Sequence, residues 1–187
     1  MRITTGKFKG RNIKMPKHIR PTQNKVRKAI FDILGDIVGL SFLDLFAGSG
    51  AIGLEALSRG VGKVVFVESN KVCIRIIKYN LFTFELKHRP ISTLPSFMVI
   101  WQDTERALRR LEQGKERFDI IFLDPPYYQD LAKKTLKSLS LYDILAPNGI
   151  IICQHFKRDI LPEEIESLRL IKQAKYGDTF LSFYKKH

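Results

Sequence analysis

Short apolar runs and amphipathic stretches alternate along the chain. The apolar runs are rich in β-branched and aromatic residues and predict buried strands over 40–45, 63–68, 97–101, 118–123 and 150–153. Apolar residues spaced three or four positions apart predict helices over 51–59, 69–82, 105–113 and 130–145. The last part of the chain predicts a helix over 162–168 and two strands over 169–176 and 179–185.

This alternation predicts an α/β fold with a doubly wound, mostly parallel seven-stranded sheet. The last two strands are joined across Gly177-Asp178 and are close enough to form a hairpin, which would add an antiparallel C-terminal strand. Ligands of such sheets bind beyond the carboxyl ends of the parallel strands, so chemistry is expected there.

The N-terminal segment has a different pattern. Thr22 is a plausible N-cap for a helix that runs to about Val38 and has an apolar stripe. Before it, apolar residues interleave with basic ones, and Gly6 and Gly10 can supply turns, which predicts a short β-hairpin. We therefore predict a basic hairpin and helix over 1–38, packed on a main domain over 39–187.

Charge is concentrated in the same segment. The chain has 32 basic and 19 acidic residues, a formal net charge of +13, and ten of the basic residues lie within 1–28, where no acid occurs. Such an excess favours a polyanionic partner, and a folded basic arm indicates nucleic acid. A solvated basic tail is the alternative interpretation.

Other features exclude several classes of protein. No apolar run approaches the roughly 20 residues that cross a bilayer, and the N-terminus lacks the apolar core of a secretory signal, so a cytoplasmic location is predicted. Cys73 and Cys153 lie far apart without a CxxC pattern, which indicates buried free thiols and no metal site.

The first chemical motif follows the first predicted strand. Gly48, Gly50 and Gly53 satisfy GxGxxG at the start of a helix, and Glu68 stands at the end of the second strand. Glycines let the backbone approach a ligand, and a carboxylate accepts hydrogen bonds from ribose hydroxyls. A tight turn alone could explain the glycines, but the register with Glu68 favours a nucleotide-like cofactor, either NAD or S-adenosylmethionine.

Asp44 separates these two cofactors. A carboxylate at the end of the first strand can orient the groups that hold the cationic amine of S-adenosylmethionine, whereas it would repel a pyrophosphate. Asp103, just past the third strand, could accept a hydrogen bond from an adenine amine or could cap the next helix, and the sequence favours neither.

The second motif, Asp124-Pro125-Pro126-Tyr127, ends the fourth predicted strand and should face the glycine loop across the crevice. The prolines fix the backbone and present carbonyl acceptors. Hydrogen bonds from an exocyclic amine to Asp124 and the Pro125 carbonyl would make that nitrogen a better nucleophile, and Tyr127 could stack on its base.

Together with Arg20-Pro21-Thr22 and residues 26–31, these motifs resemble the RsmD-type 16S rRNA (guanine-N2)-methyltransferases. The resemblance runs from GKFKGR at 6–11 through LDLFAGSGAIGLEALSRG at 43–60 and FLDPPY at 122–127, and so covers nearly the whole chain. It implies a class I, Rossmann-like methyltransferase that uses S-adenosylmethionine and acts in the cytoplasm on 16S rRNA or a 30S particle, with no metal or membrane and a monomer favoured.

The resemblance also assigns roles to residues. The catalytic loop would be Asp124, Pro125, Pro126 and Tyr127. The cofactor would be bound by Asp44, Phe46, Gly48, Ser49, Gly50, Glu68, Ser69, Asp103 and Thr104, and RNA by Lys7, Lys9, Arg11, Arg20, Thr22 and Arg27.

Two features of the sequence depart from the family pattern. The connection over 83–96 is longer, and Gln154 stands after the fifth strand, where an acid is expected. Three other functions stay open: a DNA adenine-N6 methyltransferase, a non-catalytic RNA-binding protein with a methyltransferase fold, and an NAD-dependent reductase. Asp44 and the prolines disfavour the reductase, and the intact motifs disfavour loss of catalysis.

Overall fold

A computed structural model describes residues 1–16, 24–85, 96–127 and 130–187. Eight strands form one sheet, and helices cover both of its faces. The elements in chain order are α1 (Asn24–Leu34), β1 (Ser41–Leu45), α2 (Ala51–Ser58), β2 (Lys63–Glu68), α3 (Lys71–Glu85), β3 (Ser96–Trp101), α4 (Thr104–Gln113), β4 (Phe118–Leu123), α5 (Leu131–Leu141), β5 (Leu145–Phe156), β6 (Glu164–Ile165), β7 (Leu168–Tyr176) and β8 (Thr179–Lys186).

The strand order is β3-β2-β1-β4-β5-β8-β7-β6, with β1 to β5 parallel and β8 antiparallel to both of its neighbours. The order reverses beside β1, so β1 and β4 flank the switch point at which such sheets bind ligands. The predicted doubly wound sheet with an antiparallel C-terminal strand is confirmed.

The helix predicted over 162–168 is wrong, and the sheet has eight strands where seven were predicted. Glu164 and Ile165 form the short strand β6 and pair with Arg169 and Leu168 of β7. Between the two strands Glu166 adopts φ 51°, a left-handed conformation that interrupts a helix and closes a tight hairpin.

Several element ends also differ from prediction. Helix α1 stops at Leu34 instead of Val38, because Gly35 adopts φ 73° and its N–H closes the last turn on Phe31. Strand β5 begins at Leu145, before the predicted start at 150, and α5 ends correspondingly early at Leu141.

The sheet separates two apolar layers. Helices α1, α2 and α3 pack on one face, and α4 and α5 pack on the other. Alternate residues of each central strand point to opposite layers, so Phe42 joins the first and Leu43 the second. Among the described residues, no helix combines the length and apolarity that a membrane crossing would need.

The N-terminal segment packs against the first layer. Arg2 and Asn12 form a single antiparallel bridge, so the predicted hairpin has paired ends but no extended strands. Ile3, Phe8 and Ile13 are all buried in the core that includes α2. The segment is therefore fixed to the body, while the division into parts 1–38 and 39–187 stays a prediction.

Candidate active site

The glycine loop follows β1 and contains positive φ angles, which are unfavourable for residues with a side chain. Phe46 adopts φ 59°, Gly48 φ 55° and Gly50 φ 76°, and the Gly50 N–H closes a turn on the Ala47 carbonyl at 2.7 Å. A Cβ on Gly53 would lie 2.3 Å from the ring of Phe66. Glycines therefore allow both the tight turn and the close packing of α2 on β2.

Asp44 lies under this loop and is almost completely buried. Its Oδ2 accepts a hydrogen bond from Gly53 N at 2.9 Å, which ties β1 to the first turn of α2. Burial raises the pKa of Asp44 to about 8, and the charges of Asp124 and Glu68 add to this rise, while the bond from Gly53 opposes it. The crevice is therefore an electronegative environment.

Glu68 connects the glycine loop to the start of α3. One carboxylate oxygen accepts a hydrogen bond from Gly48 N at 2.8 Å, and the other accepts one from Asn70 N at 2.7 Å. The side chain predicted to bind ribose thus lies directly against the glycine loop. Asn70 caps α3, because its Oδ1 accepts a hydrogen bond from Val72 N at 2.8 Å.

Asn80, which the sequence analysis missed, supports the loop from below. Its side chain is fully buried in α3, and Nδ2 donates to the Ser49 carbonyl at 3.1 Å. The same amide bonds both backbone groups of Lys14, at 2.9 and 3.0 Å. A polar residue on the apolar stripe of α3 was the available signal. Asn80 therefore joins the glycine loop to the N-terminal segment.

The predicted adenine side of the crevice lies between β3 and α4. Asp103 caps α4 through a hydrogen bond from Arg106 N at 3.0 Å, and Thr104 is the first helical residue. Trp101 Nε1 donates to the exposed Ser69 carbonyl at 2.9 Å. The capping interpretation of Asp103 is confirmed, whereas its contact with a cofactor stays a prediction.

The Asp124-Pro125-Pro126-Tyr127 loop begins directly after β4. The registers Leu45↔Leu123 and Leu123↔Cys153 place Asp124 between the end of β1 and Gln154 of β5. Gln154 Nε2 donates to Asp124 Oδ2 at 2.9 Å.

A cavity of about 110 Å³ adjoins this loop. Pro125, Pro126 and Tyr127 line it, and the Tyr127 ring centroid lies 5.8 Å from that of Phe156. An aromatic ring thus stands beside a small cavity next to the loop, an arrangement suited to hold a planar base.

Comparison with known proteins agrees with this arrangement. The family model described as "Conserved hypothetical protein 95" matches residues 1–185. A Haemophilus influenzae protein named "Ribosomal RNA small subunit methyltransferase D" is 34% identical and covers 99% of this chain and 93% of its own length. The chain belongs to this family.

Two further relatives extend over nearly the same length. The Bacillus subtilis protein YlbH is 38% identical and covers 100% of this chain and 99% of its own length. The solved structure of a Thermus thermophilus hypothetical protein has a TM-score of 0.81 at 32% identity and covers 98% of each chain. The similarity therefore includes the N-terminal segment as well as the cofactor motifs, and the predicted RsmD-type resemblance is confirmed.

The RNA contacts predicted for this family member have different surroundings. Lys7 and Lys9 are exposed at the turns of the N-terminal segment. The Arg11 guanidinium donates to the Phe84 carbonyl at 2.9 Å and lies over the rings of Phe8 and Phe84. Among the predicted RNA contacts that the structure describes, the two lysines are therefore the exposed ones. Two other predicted contacts, Arg20 and Thr22, lie outside the described residues.

The prediction that Arg27 contacts RNA is contradicted. Its side chain is fully buried, with Nε 3.5 Å from the buried Glu55 carboxylate. Nη2 donates to the Arg2 carbonyl and to Asn24 Oδ1. Burial also lowers the pKa of Arg27, and the nearby Glu55 charge opposes that change. Arg27 therefore anchors the N-terminal segment to the body.

Proposed function

We propose that this chain transfers a methyl group from S-adenosylmethionine to the exocyclic N2 amine of a guanine in small-subunit ribosomal RNA. The observation that carries the proposal is the parallel pairing of β1 and β4 in the register Leu45↔Leu123, which brings Asp44 and the start of the Asp124 loop to the same edge of the sheet. The catalytic loop and the floor of the glycine loop are thus close enough to act on one ligand pair. The name of the Haemophilus influenzae relative supports the RNA substrate.

The residues of the crevice fit this cofactor. When bound, S-adenosylmethionine supplies an electrophilic methyl group on a cationic sulfonium. Carboxylates at Asp44, Glu68 and Asp124 favour such a cation and disfavour a pyrophosphate. Gln102, next to Asp103, has a buried Oε1 without a hydrogen-bond partner in the described part of the chain, an acceptor suited to an amine such as that of adenine.

The catalytic loop would activate the amine. The nitrogen is a poor nucleophile, because its lone pair is delocalised into the base. Its two N–H groups donate to the Asp124 carboxylate and the Pro125 carbonyl, which localises the lone pair for in-line attack on the methyl carbon. S-adenosylmethionine would supply the methyl group and keep the electron pair of the broken carbon–sulfur bond on sulfur, and Asp124 or solvent would take the surplus proton from the nitrogen. Tyr127 holds the base by stacking.

Labelled S-adenosylmethionine, incubated separately with 30S particles, naked 16S rRNA and DNA, tests the proposal. We expect label in RNA only, recovered as N2-methylguanosine after nucleoside digestion. Glu68→Ala should weaken binding of S-adenosylhomocysteine in calorimetry, while Tyr127→Phe should retain activity and Tyr127→Ala should not. Methylated adenine in DNA, or tight NADH binding without any binding of the sulfonium cofactor, would overturn it.

The two RNA arms also decide what form of substrate the enzyme requires. Label in 30S particles but not in naked RNA would mean that the enzyme recognises its target guanine only in an assembled particle. The cytoplasmic location and the monomeric state stay predictions.

A further inference from the structure

Gln154 is the polar residue of the crevice whose contacts the two family motifs do not explain. It lies near the end of β5, where the register Leu123↔Cys153 sets it beside Asp124. The residue is 4% exposed, and its Nε2 donates to Asp124 Oδ2 at 2.9 Å. A buried amide beside the proposed catalytic carboxylate is expected to have a defined orientation.

The charges around Gln154 explain why an amide suits this position. Asp44 lies on β1, and Asp124 directly follows the neighbouring strand β4, so each lies within electrostatic reach of the other. On the opposite side Gln154 pairs with Leu181 of β8, which carries no charge. An acid at 154, as the family pattern predicts, would add a further carboxylate to Asp44, Asp124 and Glu68. The amide instead supplies a neutral donor.

The other end of the amide is unusual. Gln154 Oε1 is buried, and it has no hydrogen-bond partner within residues 1–16, 24–85, 96–127 and 130–187. A buried acceptor without a partner is unfavourable. If Gln154 served only to fill space, an apolar side chain would do so without this cost. Exchanging the positions of Nε2 and Oε1 would not help, because Oε1 would then face the Asp124 carboxylate and two acceptors would oppose each other. The donor therefore has to point at Asp124.

We propose that Gln154 is a positioning residue, whose Nε2–H bond to Oδ2 fixes the plane of the Asp124 carboxylate for the target amine. This role rests on the proposed function, because it presupposes that Asp124 accepts an N–H of the substrate. Gln154 acts through Asp124 and needs no contact with the base. A fixed carboxylate presents its lone pairs in one direction, which matters most when the amine nitrogen changes geometry in the transition state.

Gln154→Ala removes the donor. We expect kcat to fall about 10-fold or more, the size of effect associated with losing a hydrogen bond to a charged group. The KM for RNA and the calorimetric affinity for S-adenosylhomocysteine should stay within about 2-fold, because a transition-state interaction changes kcat selectively. A purely structural role would instead lower the melting temperature and leave kcat per folded molecule unchanged.

Gln154→Glu provides a sharper test at nearly constant volume. The ionised carboxylate would repel Asp124, whereas the protonated acid can donate its O–H to Oδ2. Burial and the neighbouring Asp44 and Asp124 favour the protonated form. The ratio of variant to wild-type kcat should therefore rise as the pH is lowered from 8 to 5.5, while the same ratio for Gln154→Ala should stay flat.

Gln173→Ala is the matched control, because Gln173 also donates its amide N–H across the sheet, to Ser182 Oγ at 2.9 Å, away from Asp124. It should leave kcat unchanged. In an Asp124→Asn background, Gln154→Ala should add less than about 2-fold, since interacting positions are not additive.

The outcomes separate the two proposals. If the wild-type protein methylates no nucleic acid, the proposed function fails. If the wild-type protein is active and Gln154→Ala keeps its kcat, only the positioning role is overturned. Should Gln154→Ala fail to fold, Gln154→Glu decides the question: a pH-independent ratio of variant to wild-type kcat overturns the role.

Discussion

Two buried carboxylates, Asp44 beside the first turn of the short helix α2 and Glu55 within that helix, have opposite surroundings. Glu55 of α2 is saturated with donors: Oε1 accepts from Thr4 Oγ1 at 2.6 Å and Thr5 N at 3.0 Å, and Oε2 accepts from Thr4 N at 2.9 Å. The guanidinium groups of Arg27 and Arg59 stand 3.5 and 3.3 Å away. The chain itself thus compensates the charge of Glu55.

Asp44 has no such compensation. Within the described ranges, its one hydrogen bond comes from Gly53 N, and its charged neighbours are the carboxylates Asp124 and Glu68. Burial opposes the ionisation of Asp44 and raises its pKa to about 8. Partners within the fold thus compensate the charge of Glu55, whereas Asp44 keeps a proton below about pH 8 and would be favoured in its ionised form by a cationic ligand.

The largest effect is expected from Glu55→Ala. The substitution leaves the Arg27 charge buried without its partner and removes the acceptors that hold Thr4 and the N-terminal segment. The free energy of unfolding should fall by about 3–5 kcal/mol, as for other broken buried ion pairs. Denaturant titration measures it.

The control for Glu55→Ala is a surface pair. Glu164 and Arg169 form an ion pair in which both side chains are more than half exposed. Glu164→Ala should cost at most about 1 kcal/mol. Equal losses in the two variants would mean that the pairing of Glu55 does not anchor the N-terminal segment.

The crevice should respond in activity rather than in stability. Asp124→Ala should lower kcat by about 10²-fold or more, or about 2.7 kcal/mol of transition-state free energy, by analogy with loss of one positioned polar group. Affinity for S-adenosylhomocysteine should survive in calorimetry, and the melting temperature should change little. Turnover near the wild-type rate would contradict the catalytic role of Asp124.

Asp44 should make stability depend on pH. The pKa of this carboxyl is about 8 in the folded protein against a reference of 3.8, so between these values the folded state holds a proton that the unfolded state has lost. Its contribution to stability is complete below about pH 4 and declines as the pH rises towards 8. Each pKa unit of difference corresponds to about 1.4 kcal/mol.

Asp44→Asn keeps an acceptor for Gly53 N but cannot titrate. The melting temperature of this variant relative to the wild-type protein should therefore rise steadily between pH 5 and pH 8. A constant difference would show that Asp44 is already ionised in the folded protein, and the contrast with Glu55 would disappear.

Sequence reasoning found the parts of the site that depend on local geometry. Gly48 and Gly50 adopt positive φ angles, which glycine tolerates. The end of the buried strand β4 marks the position of Asp124. These signals lie within a few residues of the positions they predict. Alternating strands and helices likewise give the sheet class, because right-handed crossovers leave few arrangements.

The missed features depend on partners that are distant in sequence. Arg27 has the same basic character as Lys9, and only its distance to Glu55 of α2 shows that it is buried. Gln154 was recognised as a departure, but its bond to Asp124 requires the register of β4 and β5. The short strand β6 likewise exists only because β7 is there to pair with it.

The smallest effect is expected from the exposed lysines of the N-terminal segment, and it tests whether that segment binds RNA as well as being anchored. Each phosphate neutralised contributes roughly 0.7 to 0.9 to the slope of log affinity against log salt. Lys7 and Lys9 are exposed, whereas the buried Arg27 cannot contribute. The double variant Lys7→Ala, Lys9→Ala should therefore flatten the slope by about 1.5, measured from 50 to 300 mM salt.

The control is Lys172→Ala with Lys175→Ala, which removes two exposed lysines of β7 and should leave the slope unchanged. If the β7 pair flattened the slope and the N-terminal pair did not, RNA would cross the other end of the sheet, and the segment would serve only as an anchored cover for α2.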